Sequence, residues 1–177
     1  MKLRISNFLK SNRNYSLISC FLILTLSTSS CGIYSFNPGS PGSAETIAVG
    51  NFLNRSSGPA NMGITFTERL KEYYQRNTKL KLSNKEADLV VTGNIVRYQM
   101  DPIAATATDR AAQNRLTIGV EVDFVNNTDE KKNFKQTFSF YSDFPQNQTL
   151  AQVEKDKIDE IFEQIVLDIF TKTVADW

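Results

Sequence analysis

The chain has 177 residues, with 20 Lys and Arg against 19 Asp and Glu, and no histidine. Without imidazole, the Ser/His/Asp and Cys/His nucleophile arrangements are excluded, and so are the commonest zinc ligands. No GxxxxGK[ST] or GxGxxG run occurs, so the main glycine-rich phosphate cradles are missing and no cofactor or metal is expected.

Residues 1–14 carry Lys2, Arg4, Lys10 and Arg13 and no acid, an apolar run from Leu17 to Leu26 follows, and Ser27 to Ser30 close it. Basic head, short apolar core and small-residue tail read as a signal peptide over 1–30. About ten apolar residues are too few to span a bilayer, which takes about 20. Cys31 ends the tail where lipoprotein chemistry needs a thiol: it would take a diacylglyceryl group, and its freed amine would be acylated. Thr28 stands where the strict pattern has Leu. Cys20 matches that pattern better by letter, but cutting there would leave "FLILTL" as an exposed apolar tail. Ordinary secretion and an uncleaved anchor are the alternatives.

On this reading residues 1–30 leave, and four basic residues go with them. Sixteen basic then face 19 acidic groups over the remaining 147 residues, a net charge of −3. A nucleic-acid partner would call for a basic excess, so none is expected. Cys31 is then the last cysteine, which leaves no intrachain disulfide. A chain of this length can bury about 68–70% of its unfolded surface, enough for one core and one domain.

Residues 31–43, "CGIYSFNPGSPGS", are rich in Gly, Pro and Ser and read as a flexible leash. A first strand is expected over about 45–53, with Ile47 and Val49 on one face. From 61 to 77, Met62, Phe66, Leu70 and Tyr73 mark an amphipathic helix, with Asn77 and Thr78 as terminators. "ADLVVTGNIVRYQM" (87–100) predicts a strand with Leu89, Val91, Gly93 and Ile95 on one face and a bulge near Gly93. Asp101-Pro102 is expected to stop it, and "IAATATDRAAQ" reads as a loop. "NRLTIGVEVDFVNN" alternates most cleanly: Leu116, Ile118, Val120, Val122 and Phe124 face in, while Arg115, Thr117, Glu121 and Asp123 face out. "NNTDEKKN" turns the chain, and "FKQTFSFYSDF" returns with Phe134, Phe138 and Phe140 on one face, a hairpin. Thr149 and Gln152 form a T-x-x-Q capping box. The helix it opens carries Ile158, Ile161, Phe162, Ile165, Ile169 and Phe170 as one apolar stripe, continued by Val174 and Trp177.

The order β-α-β-β-β-α predicts an α+β fold, a two-layer sandwich with two helices on one face of a four-stranded mixed sheet. The other face would be polar, with Tyr98 and Tyr141 at intervals. It is either a solvated surface or a docking face for a partner. Glu121 and Asp123, the tightest carboxylate pair, fall on that polar face and read as solvated surface, so no catalytic residue is expected.

From "CGIYSF" through "QNRLTIGVEVDFVNN" and "NFKQTFSFYSDF" to "EIFEQIVLDIFTKTVADW", the chain resembles the lipopolysaccharide-assembly lipoproteins, the LptE family. The resemblance implies a non-enzymatic plug, held by lipid to the inner leaflet of the outer membrane. It implies an LptD-type β-barrel as partner, whose assembly the plug assists, and lipopolysaccharide as cargo passed to the cell surface. Gly32 agrees with that address, since an Asp after the cysteine would retain the protein in the inner membrane. Lipopolysaccharide phosphates and acidic sugars call for Lys or Arg. The candidates are Arg110 and Arg115, flanking the start of the third strand, and Lys131 and Lys132 in the hairpin turn. A periplasmic lipoprotein regulating an envelope enzyme through its sheet face is the alternative reading.

Overall fold

The computed structural model describes residues 44–104 and 112–175. The signal segment, Cys31, the leash, Arg110 and Trp177 lie outside these residues.

Three long strands carry the sheet: β4 (Leu89–Ile103), β5 (Gln113–Asn126) and β6 (Phe134–Pro145). They pair antiparallel, β5 in the middle. Three short strands, β1 (Thr46–Val49), β2 (Leu53–Asn54) and β3 (Lys81–Leu82), complete a six-stranded mixed sheet. Its order is β3-β1-β4-β5-β6, with β2 also beside β4; β1 is parallel to both its neighbours, and β2 to β4. Helices α1 (Met62–Asn77) and α2 (Leu150–Phe170) belong to a second layer, and a π-helical turn, Thr171–Ala175, follows α2. The α+β class holds, with more strands than the expected four.

The extra strands have physical causes. The first predicted strand breaks after Val49 because Phe52 turns inward. Its N–H donates to the Thr67 hydroxyl of α1 at 3.0 Å, and its ring meets Phe66 edge-on at 5.0 Å. β3 is two residues long, too short for an alternation pattern to reveal, and hangs on β1 through Lys81 N–H to Glu45 O and Ser83 N–H to Ile47 O, both 2.9 Å. β4 runs on through Pro102, which pairs with Asn114. Beyond Ile95 that flank of β4 pairs with no strand among the described residues, and a proline is tolerated on such an edge.

The bulge lies between Ile95 and Arg97, not at Gly93. Gly93 has another task. A Cβ there would stand 2.1 Å from the Glu121 carbonyl oxygen and 2.6 Å from the Phe52 ring, so glycine is what lets Phe52 lie over the sheet. Gly63 does the same for the helix, since a Cβ would sit 2.2 Å from the Phe52 carbonyl oxygen.

The core is the meeting of two stripes. Leu116, Ile118, Val120, Val122 and Phe124 of β5 are buried, as predicted from their alternation. The α2 stripe from Ile158 to Phe170 is buried with them, and Val174 joins it. On α1 the stripe ends on Tyr74, fully buried, with Tyr73 at its margin. Phe66 meets Phe162 edge-on at 5.0 Å and Tyr73 meets Phe170 likewise, so the two helices are joined through aromatic edges. Each such side chain contributes about 1.5–3 kcal/mol by leaving water. At the start of α2 the Thr149 N–H donates to the Gln152 side-chain oxygen at 2.8 Å, as the capping box requires.

Candidate functional site

Alternation along β5 decides what the uncovered sheet face carries. With Leu116 to Phe124 turned toward the helices, Arg115, Thr117, Glu121 and Asp123 stand on the far side. β6 adds Lys135, Thr137, Ser139, Tyr141 and Asp143 in register with them.

Arg115 and Asp143 are directly opposite across β5 and β6. The guanidinium donates twice to the carboxylate, Nε to Oδ1 and Nη2 to Oδ2, both at 2.8 Å, and its carbon lies 3.6 Å from the Tyr141 ring centroid. A planar fork matched to a carboxylate and stacked on an aromatic face is a geometry lysine cannot copy. The Arg115 hydrogen bonds hold the Asp143 carboxyl below the usual carboxylate range, and the same bonds push the Arg115 guanidinium up. Further along the face Lys135 pairs with Glu121 at 3.3 Å. Glu121 is thus half of a surface ion pair.

The candidate cations do not converge. Arg115 sits at the start of β5, and Lys131 and Lys132 sit in the 3₁₀ turn Glu130–Lys132 beyond its end. Asn126 lies eleven residue steps along β5 from Arg115, about 36 Å of extended chain. No single phosphate can touch both groups. The turn itself is built on Asn126, whose side-chain oxygen accepts from Thr128 N–H (2.8 Å), the Thr128 hydroxyl (2.7 Å) and Asp129 N–H (2.9 Å).

Tyr98 is not on the open face. The bulge at Val96 shifts parity, so Tyr98 pairs with Ile118 on the helix side, where its hydroxyl donates to Glu154 of α2. Burial, with the Glu154 carboxylate, pushes that phenol up. The same shift brings Arg97 onto the open face opposite Gly119, where a Cβ at Gly119 would be 3.1 Å from that of Arg97. Arg97 is exposed and carries no ion pair among the described residues. Simple alternation from Ile95 would bury it. An arginine at a nominally buried position was the available signal for a bulge just before it.

A cleft of about 390 Å³ opens between the first turns of α1 and α2, lined in part by Met62, Thr65, Arg69, Lys155 and Ile158. Both of its cations are committed to Asp159, Arg69 by an ion pair and Lys155 at 2.9 Å. It reads as a clamp between the helices. Among the described residues no group of three or more His, Cys, Asp or Glu could hold a metal ion. No helix there is long and apolar enough to cross a membrane.

The described residues thus form a two-layer α+β domain, with one sheet face under helices and the other polar, stacked and ion-paired. More particularly, the family model of LptE, lipopolysaccharide assembly, matches residues 44–173. The chain belongs to that family of non-enzymatic, cell-envelope lipoproteins of lipopolysaccharide assembly. No curated protein matches it.

Solved structures give a looser likeness. The hypothetical protein CT253 from Chlamydia trachomatis is 10% identical with a TM-score of 0.48, over 72% of this chain and 96% of that one. Lipoprotein B from Nitrosomonas europaea is 14% identical with a TM-score of 0.45, over 71% and 79%. The rare lipoprotein B from Shewanella oneidensis is 13% identical with a TM-score of 0.43, over 71% and 89%.

Proposed function

We propose that the protein is anchored through acylated Cys31 to the inner leaflet of the outer membrane, plugs an LptD-type β-barrel, assists its assembly, and helps pass lipopolysaccharide to the outer leaflet. The observation that carries the reading is the family match over 44–173. In this reading residues 1–30 are the signal peptide, 31–43 the leash, and 44–177 the domain that enters the barrel.

The open face suits a partner that is polar and hydrogen-bonding. It offers hydroxyls from Thr117, Thr137 and Ser139 and the half-exposed Tyr141 ring, the amphipathic residue type enriched at interfaces. Lipopolysaccharide phosphates would meet Arg110 and Arg115 at one end of the face, or Lys131 and Lys132 at the other. Arg97 joins them, an exposed arginine with no ion pair among the described residues.

Depletion tests the reading. With the protein removed, the partner barrel should be poorly assembled and the outer membrane more permeable to hydrophobic antibiotics. Tagged protein purified from solubilised outer membranes should bring the barrel with it. Normal barrel levels and an intact permeability barrier under full depletion would count decisively against this function.

A further inference from the structure

β6 ends the sheet, and among the described residues no strand lies beyond it. It is 12 residues long, its register with β5 runs unbroken, and the seven residues from Gln136 to Ser142 contain no charge, proline or glycine. Free N–H and C=O groups along an edge invite another strand, so proteins usually blunt edges with charges, proline or a bulge. This molecule does so elsewhere. The outer flank of β4 carries the bulge before Arg97, then Asp101 and Pro102, and β3 is two residues long. Among the described strands β6 alone is left long and unblunted at its centre.

The two charges toward its ends are already matched inside the chain, Lys135 with Glu121 at 3.3 Å and Asp143 with Arg115 at 2.8 Å. The edge therefore asks no charge of a strand laid against it. It does ask for alternation. On the open side such a strand would run beside Thr137, Ser139 and Tyr141. On the helix side it would run beside Phe138 and Phe140, with Leu167 of α2, 40% exposed, next to Phe138. An uncharged strand, polar on one face and apolar on the other, has the pattern of an outer-membrane barrel strand, which turns one face to the lumen and one to lipid.

We propose that β6 is a pairing edge for the first or last strand of the partner barrel before that barrel closes. A closed barrel has no edges, so its strands can reach β6 only while the wall is unfinished. Length makes the pairing reversible. A transmembrane strand has about 9–11 residues, so joining its own barrel neighbour makes more ladder bonds than the seven uncharged residues of β6 provide. Closure then releases β6. Until that point β6 shields the open edge of the assembling barrel from wrong partners. The inference rests on the reading above, that this protein assists barrel assembly, and adds to it the surface and the mode of pairing.

Amide hydrogen exchange of the full-length protein in detergent, resolved residue by residue, tests this against synthetic peptides of the partner barrel's first and last strands. One of the two peptides, at about ten times its Kd, should slow every second amide from Gln136 to Ser142 about tenfold, namely those pointing away from β5. Alternation separates strand pairing from side-chain contact, which has no reason to skip residues. A peptide of the same composition in shuffled order should leave these amides unchanged. Ser139→Lys, at an exposed position, should weaken binding of the strand peptide about fivefold, the scale of one lost cross-strand pair. No slowing with either peptide, slowing without alternation, or equal slowing by the shuffled peptide would overturn the proposal. Barrel assembly that fails on depletion while these amides stay unchanged would leave the proposed function standing and remove β6 from it.

Discussion

Tyr74 and Thr173, 99 residues apart in sequence, share a 2.6 Å hydrogen bond inside the core. The Thr173 hydroxyl donates to the Ile169 carbonyl oxygen at 2.9 Å, so the Tyr74 hydroxyl is the donor to Thr173. Burial pushes the Tyr74 phenol far up, so it stays a donor throughout the working pH range. Tyr74→Phe removes one bond and should cost about 1 kcal/mol. Thr173→Val strands a buried phenol and should cost about 1–3 kcal/mol. The double variant should be less destabilised than the sum of the two, because neither orphan remains. Urea unfolding of all four proteins measures the coupling, and strict additivity would mean the two hydroxyls do not interact.

Asp88 ties the starts of β1 and β4 together. Its carboxylate accepts from the Glu45 N–H at 2.8 Å and from the Thr46 hydroxyl and N–H at 2.9 Å, and these bonds hold its pKa below the ordinary aspartate value. A carboxyl with a lowered folded pKa stabilises the fold above its unfolded pKa of about 3.9 and loses that effect as pH falls through the folded value. Asp88→Asn should therefore melt below wild type at neutral pH, and the gap should close in acid below about pH 4. A gap independent of pH would assign the loss to shape and not to charge.

Much of this fold was legible because its main elements alternate strictly. The β5 faces, the α2 stripe and the hairpin all followed from period two or period 3.6. What escaped was local and tertiary. β2 and β3 exist because Phe52 and the chain after α1 are drawn to places only the folded sheet provides. Tyr98 and Arg97 exchanged faces because one extra residue, Val96, reset the parity. Arg115 was legible as an exposed cation, but its commitment to Asp143 depends on a β5–β6 register that sequence alone does not give.

That commitment orders the candidate lipopolysaccharide contacts. Arg97→Ala should lower binding of purified lipopolysaccharide by about tenfold, the scale of one charge-assisted hydrogen bond. Lys131→Ala/Lys132→Ala should lower it less if the phosphates meet the Arg97 and Arg115 end. Arg115→Ala also frees Asp143, so Asp143→Ala is its control. Unchanged binding in all of these, with circular dichroism preserved, would leave the residues as ordinary surface charge.

Cys31 carries the anchor prediction. Metabolic labelling with a palmitate analogue should mark the wild type and spare Cys31→Ala. Equal labelling of both would place the lipid elsewhere.

The sheet joins two kinds of pairing, and they differ in when they can form. β4, β5 and β6 meet through consecutive antiparallel pairings, so each finds its partner soon after it exists. β1 must instead wait for β4, since Ile47 pairs with Leu89 across 42 residues and a whole helix. Closing long loops before any contact rewards them makes such pairing late. Substitutions at Ile47 should therefore speed unfolding with little effect on the folding rate, while those at Val122 should slow folding. The segment made first is the last to settle, so a newly made chain holds its amino-terminal strand unpaired until the meander behind it has formed.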